Sequence, residues 1–339
     1  MLDDRLAVAL QRGLPLCPRP FESLADELGC SEADLIGCVA RLRDQGLCRR
    51  FGAVFDTRRL GYRSALCAAA VPEEGLAEAA AKVTPLEGVT HCYERAAPAD
   101  AEFARLAPGD GPRPNLWFTL SSPADVFPAM ADEVCARLRP FQVHVLPALR
   151  RYKIDVVFGA SSRAADERVE DDLPPLGAFG RALIGAVQGD TEVRPDYFAG
   201  IAEALGAREW DVLSTLEMWR RNGRLRRIGL LLRHREAGWT ANGMCCWRVE
   251  GDTTVAGRAL AERGEVSHCY ERPEAPGFPY NLFAMVHERS MDGALASFQA
   301  LDAHLAASLG APPPGVMLAS TREFKKTSMK FFEGGRASR

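Results

Sequence analysis

A pentapeptide that occurs twice restricts this chain more than any other feature. His91-Cys92-Tyr93-Glu94-Arg95 returns 177 residues later as His268-Cys269-Tyr270-Glu271-Arg272. The same spacing carries Arg49-Arg50-Phe51-Gly52 onto Arg226-Arg227-Ile228-Gly229, Gly61-Tyr62 onto Gly238-Trp239, Gly46 onto Gly223, and Leu28-Gly29 onto Leu205-Gly206. One ungapped register thus runs from Ala25 to Arg95. Pro114-Asn115-Leu116-Trp117-Phe118 also resembles Tyr280-Asn281-Leu282-Phe283 at a shorter spacing, so the first half carries extra loop residues around Ala96 to Arg113. A chain of 339 residues has room for about two domains, and self-similarity at one fixed spacing says that they are one module used twice. Pairing of the copies as a pseudo-dimer within one polypeptide is the simplest use of such a tandem.

Each copy opens with helix signals. Leu24 to Leu28 reads as a short helix stopped by Gly29. Ser31 then caps a second helix, with Asp34 three residues on, Leu35, Val39 and Leu42 along one face, and Gly46 closing it. A two-strand wing is expected next, Leu47 to Phe55 and then Tyr62 to Val71, which makes a winged helix-turn-helix. The second copy repeats this from Tyr197 through Gly206 to Gly223. The rest of each copy reads as β-α-β-β-α-β, with helices at Gly75 to Val83, Pro123 to Leu138, Thr253 to Arg263 and Asp292 to Ser308. The final strands are expected at Tyr152 to Phe158 and Lys325 to Phe332. The fold class is therefore α+β, a tandem of two modules, each a winged helix-turn-helix followed by a ferredoxin-like βαββαβ domain. The divisions are 1–60 and 61–158 for the first copy, a Pro- and acid-rich linker at 159–177, 178–237 and 238–332 for the second copy, and a tail at 333–339.

Composition excludes several classes. Lys and Arg number 42 against 45 Asp and Glu, a net charge of −3, so no global positive field attracts nucleic acid or anionic lipid. No apolar run is long enough to span a bilayer. The ten cysteines include no C-x-x-C pair, and the Met-Leu-Asp-Asp-Arg start has no leader character, so they read as free thiols in a cytoplasmic protein. G-x-G-x-x-G, G-x-x-x-x-G-K-[ST], H-E-x-x-H and G-x-S-x-G are all absent.

A winged helix-turn-helix followed by βαββαβ resembles the Lrp/AsnC regulators. The set Arg-Arg-(Phe/Ile)-Gly, Gly-(Tyr/Trp), His-Cys-Tyr-Glu-Arg and Tyr-Asn-Leu-Phe-x-Met-Val-His resembles the siroheme decarboxylase branch of that superfamily in its fused, two-module form. The resemblance implies loss of carbon dioxide from the C12 and C18 acetates of siroheme in heme d1 biosynthesis. It implies no required cofactor, the siroheme iron belonging to the substrate, and no protein metal site. A homodimer or association with other heme d1 biosynthesis proteins remains open as the partner state.

The residue chemistry agrees. Decarboxylation of a pyrrole acetate leaves a carbanion-like methylene that needs a proton, and imidazolium is a suitable general acid near neutrality. His91, His268 and His287 are the candidates, though an imidazole can equally ligate the substrate iron, and the sequence does not separate these roles. Strand alternation puts His268, Tyr270 and Arg272 on one face and Cys269 and Glu271 on the other. Tyr93, Tyr270 and Tyr280 are expected to bond the reacting carboxylate. Arg49, Arg50, Arg95, Arg226, Arg227 and Arg272 are expected to hold the others as bidentate forks, with His234 nearby in the wing. His287 has no first-half counterpart, and Thr57 stands where the second half has His234, so a single working pocket would be lined mainly by second-half residues.

Two rivals share these features. A DNA-binding regulator would place Ser31 to Gln45 and Ala207 to Arg221 in the major groove, but both helices open with acidic pairs, Glu32 with Asp34 and Glu209 with Asp211, which argues against DNA binding. A tetrapyrrole carrier without turnover would use the same arginines and histidines.

Overall fold

The computed structural model describes residues 4–98, 113–154, 157–158, 173–233 and 235–332. His234, most of the expected linker, most of the extra first-half loop and the expected tail lie outside the described residues.

Each half begins with three helices, α1 (Asp4–Arg12), α2 (Pro20–Leu28) and α3 (Glu32–Asp44) in the first, and α6 (Ala178–Gln188), α7 (Tyr197–Leu205) and α8 (Glu209–Arg221) in the second. Sequence signals identified α2, α3, α7 and α8 but not α1 and α6, which precede the detectable repeat. The α3 cap is the expected box: the Ser31 hydroxyl accepts from the Asp34 N–H, and the Asp34 carboxylate accepts from the Ser31 N–H at 3.0 Å.

The wing differs from the expectation. β1 (Cys48–Phe55) pairs antiparallel with β7 (Leu225–Leu232) of the other half, and β2 (Tyr62–Ala69) belongs to the large sheet. Each half thus contributes one wing strand to a shared ribbon. Gly52 and Gly229 face each other at its centre. A Cβ on Gly52 would collide with the carbonyls of Val187 and Gly189 at the end of α6, and one on Gly229 with the carbonyl of Leu10 in α1. The glycines of the repeated Arg-Arg-x-Gly motif are therefore what lets each helix end lie against the opposite half's strand. Apolar side chains of all six helices and both strands form one core.

The remaining strands are β3 (Val89–Ala96), β4 (Leu116–Pro123), β5 (Val143–Pro147) and β6 (Arg150–Ile154), then β8 (Ala241–Trp247), β9 (Val266–Glu271), β10 (Leu282–Glu288) and β11 (Gly315–Lys326). They form one sheet in the order β5-β2-β4-β3-β11-β8-β10-β9-β6. Its two edges, β5 and β6, are successive stretches of one chain segment, so the order closes on itself as a barrel. The final strands fall earlier than expected, and each pairs on both halves. β11 pairs with β8 of its own half over Gly315–Ala319 and with β3 over Ala319–Lys326, while β5 pairs with β2 and β6 crosses to β9. Helices α4 (Leu76–Val83) and α5 (Phe127–Arg137) cover one outer face, and α9 (Thr254–Glu262) and α10 (Met291–Leu309) the other. Trp117, Phe278, Tyr280, Phe283 and Leu318 fill the inside.

Candidate functional site

The two pentapeptides lie on β3 and β9. Cys92 and Cys269 point outward into the helix-covered cores, so His91, Tyr93 and Arg95, and likewise His268, Tyr270 and Arg272, share the inward face. Their local geometry is repeated. Thr90 Oγ1 lies 2.9 Å from His91 Nδ1, and Ser267 Oγ lies 3.0 Å from His268 Nδ1. The His–Tyr ring centroids are 6.2 and 6.1 Å apart. The Arg95 guanidinium sits 5.3 Å from the Tyr93 centroid and that of Arg272 4.9 Å from Tyr270. Arg272 Nη1 donates to the Leu146 carbonyl at 2.6 Å; Arg95 Nη1 lies 3.5 Å from that of Leu318, the matching place on the other crossing strand.

The surroundings of the two copies have diverged. Lys326 stands opposite His91 on β11, whereas Ile154 stands opposite His268 on β6. Burial, followed by the positive charges of Arg49, Lys326, His268 and Arg95, pushes His91 down to about 3. Burial and Arg49 push Lys326 down to about 8, and burial with Arg49 and Arg227 pushes Arg50 down to about 10. Tyr93 is pushed up to about 12 by burial. His91 thus sits among like charges.

Around Tyr270 the charge is cancelled within the protein. Asp56, at the end of β1 and only 4% exposed, accepts from Arg151 Nη2 at 2.8 Å and from Arg226 Nη2 at 3.0 Å. Arg226 Nη1 also donates to the Ile154 carbonyl at 3.3 Å. Burial opposes ionisation of Asp56, but Arg151 and Arg226 together hold its carboxyl below the ordinary range. At the 177-residue spacing the counterpart of Asp56 is Arg233.

A third histidine completes the inward surface. His287, at the end of β10, meets Phe158 edge-on with centroids 5.6 Å apart; Phe158 packs on Trp239 at 5.3 Å, and the Arg289 guanidinium lies 4.9 Å from the Trp239 centroid. Burial, then His268 and Arg95, push His287 down to about 3. Beside this cluster is a cavity of about 310 Å³, whose lining includes Phe158, Trp239, Arg289, Gln11, Leu42 and Leu232. It lies between first-half helices and second-half strands, as the crossed pairing requires.

Several expected site residues have other partners. Arg226 is held by Asp56 and Arg272 by a strand carbonyl, because each half-buried guanidinium lies beside an acceptor of the fold. Arg50 donates to the Ala53 carbonyl at 3.0 Å, and Arg227 faces Val54 in the wing ribbon. Tyr280 is 2% exposed and packs on Phe278 at 4.7 Å inside the barrel, so its ring serves the core. Arg49, His91, Tyr93, Arg95 and His287 surround the same inward region, with His268 near enough to act on both other imidazoles, so the grouping draws mainly on first-half residues where second-half ones were expected. Sequence reasoning missed Lys326, Trp239, Phe158, Arg289 and Asp56. The signal for Asp56 lies one residue before the Thr57/His234 difference, where an acid in one half is matched by Arg233 in the other.

Fold and site together define a tandem of ligand-binding modules with a cationic, histidine-containing inward surface under a helical layer. The AsnC-like ligand binding domain model matches residues 59–153 and 236–325, and the model of the siroheme decarboxylase NirDL-like HTH domain matches residues 3–49. The siroheme decarboxylase of Hydrogenobacter thermophilus is 34% identical over 97% of this chain and 94% of that protein, and the siroheme decarboxylase NirDL subunit of Paracoccus denitrificans is 35% identical over 85% of each. The chain belongs to the siroheme decarboxylase family. A beta subunit from Methanosarcina barkeri matches only 44% of this chain but 95% of its own length, as expected if one module corresponds to one subunit. A crystal structure of the siroheme decarboxylase NirDL superposes with a TM-score of 0.69 at 29% identity over 97% of this chain and 94% of that one. A second, in complex with an iron-uroporphyrin III analogue, gives 0.67.

Proposed function

We propose that this chain is a carboxy-lyase that converts siroheme to 12,18-didecarboxysiroheme. The observation that carries this reading is the inward cluster of His91, His287, Arg49, Arg95 and Lys326 in a chain related to siroheme decarboxylases over almost its full length. A carboxylate-rich tetrapyrrole supplies negative charge to offset this cluster, and guanidinium groups suit carboxylates geometrically. Each decarboxylation is redox-neutral. The bond between the acetate methylene and its carboxylate breaks, carbon dioxide leaves, the electron pair passes to the methylene and its macrocycle, and one proton converts the methylene to methyl. His91 and His287 are the proposed proton donors. Both rings are neutral in the protein alone, so the substrate must charge them: its carboxylates offset Arg49, Arg95 and Lys326 and raise the imidazole pKa values at the moment of binding. Tyr93, with its phenol proton held, orients a carboxylate by hydrogen bonding. No separate organic cofactor is needed for this step.

The test is anaerobic incubation of the purified chain with siroheme, followed by mass spectrometry. Loss of two carbon dioxide units is expected. Tight binding without mass loss would leave a carrier in place of an enzyme. DNA recognition is not favoured: Glu32 is paired with Arg19 at 2.7 Å and Asp211 with Arg208 at 2.8 Å, which keeps acidic groups at the start of both helices that a regulator would insert into DNA.

A further inference from the structure

We propose that the tandem holds one tetrapyrrole per chain, beside His91 and His287, and that the pseudo-equivalent second site is closed by the protein's own side chains, with Asp56 standing where a substrate carboxylate would otherwise lie. This rests on the decarboxylase reading but concerns only where, and how many times, the ligand is held.

The two sites can be compared position by position, because one register relates the halves. The Phe158 backbone is clamped by Gln11, whose amide donates to its carbonyl at 2.9 Å and whose oxygen accepts from its N–H at 2.8 Å. Gln188 clamps Phe331 in the same way, at 3.1 and 2.7 Å. Phe158 and Phe331 are therefore counterparts. Beside Phe158 is the cavity, lined by Leu42, Leu232 and Trp239. Their counterparts at the 177-residue spacing are Trp219, Phe55 and Tyr62. There the rings meet: Phe55 lies 6.1 Å from Trp219 and 6.2 Å from Phe331, Tyr62 lies 5.1 Å from Phe331, and all four are buried. Two leucines on one side are thus matched by two large aromatics that fill the same volume on the other.

Charge has diverged in step with volume. The open side has Arg49, with Lys326 opposite His91 and Arg233 where the other half has an acid; its facing carboxylate, Glu323 opposite Tyr93, is more exposed than Asp56 and lies 3.8 Å from Arg235. The filled side has Arg226 and Arg151, but both already bind the buried carboxylate of Asp56, and Ile154 takes the place of Lys326. A tetrapyrrole carboxylate entering there would have to displace Asp56 and leave it a buried carboxylate without its arginine partners. Steric filling and internal neutralisation close the same site independently. Both decarboxylations consequently take place in one pocket, so the macrocycle must be repositioned between the first acetate and the second.

The experiment is a spectroscopic titration of the full chain with iron-uroporphyrin III, which reports binding without turnover. One equivalent per chain is expected. Leu42→Trp/Leu232→Phe, which gives the open side the residues of the filled side, should abolish binding. Should that variant fail to fold, a second pair decides. Arg49→Gln should weaken binding by about tenfold or more, while Asp56→Asn should keep one equivalent bound within about twofold of the parent affinity. Two equivalents per parent chain would overturn the proposal. So would a folded Leu42→Trp/Leu232→Phe chain that binds normally, or a larger affinity loss in Asp56→Asn than in Arg49→Gln. Binding of one equivalent with no decarboxylation of siroheme would sink the enzymatic reading and leave the single site standing.

Discussion

Acid should destabilise this protein through His91 and His287, and the size of the effect can be worked out. Each ring is held near 3 in the folded chain, against an ordinary value of 6.5. Between those values the unfolded chain binds a proton that the folded chain refuses, so stability is fully present above about pH 6.5 and is lost as the pH falls toward about 3. At pH 5 the difference is about 2 kcal/mol per ring, hence about 4 kcal/mol for the pair, less whatever solvation the partly exposed rings retain. That is a large share of the 5–15 kcal/mol typical of a folded protein. Urea unfolding of the parent, His91→Gln and His287→Gln at pH 8 and pH 5 isolates the effect, since other titrating groups cancel in the comparison. Each glutamine variant should lose about 2 kcal/mol less than the parent on going to pH 5. If all three proteins show the same acid loss, the rings are not held neutral by their surroundings, and the account of the site's electrostatics is wrong.

Other expectations rest on the same contacts. Binding of iron-uroporphyrin III at pH 7 should take up protons, because added carboxylates raise imidazoles from about 3; calorimetry in buffers of different ionisation enthalpy measures this, and uptake unchanged in His91→Gln would contradict it. Asp56→Ala strips Arg151 and the half-buried Arg226 of their buried counter-charge and should cost up to about 3 kcal/mol, read as a lowered melting temperature. Gly52→Ala should destabilise by about 1–3 kcal/mol, since backbone carbonyls of Val187 and Gly189, rather than a pliable side chain, stand in the way.

The sequence by itself determined the duplicated module, the order of its elements within the repeated stretch apart from the placing of the last strand, and the face shared by each His, Tyr and Arg, because these depend on local periodicity and on a repeat that can be read along one line; the leading helices α1 and α6, outside that repeat, were not legible. It did not determine that β1 pairs with β7 in place of β2, or that β6 and β11 cross to the opposite half. Strand partners more than a hundred residues away leave no mark on a strand's own pattern of alternation. For the same reason six arginines looked equivalent as carboxylate clamps. Only tertiary structure brings Asp56 of one half against Arg226 of the other, and sets Leu42 and Leu232 beside Phe158 where Trp219 and Phe55 crowd Phe331. Whether a charge is available to a ligand depends on which group faces it across the fold, and whether a cavity exists depends on the combined volume of side chains from both halves. Neither quantity belongs to any one stretch of sequence.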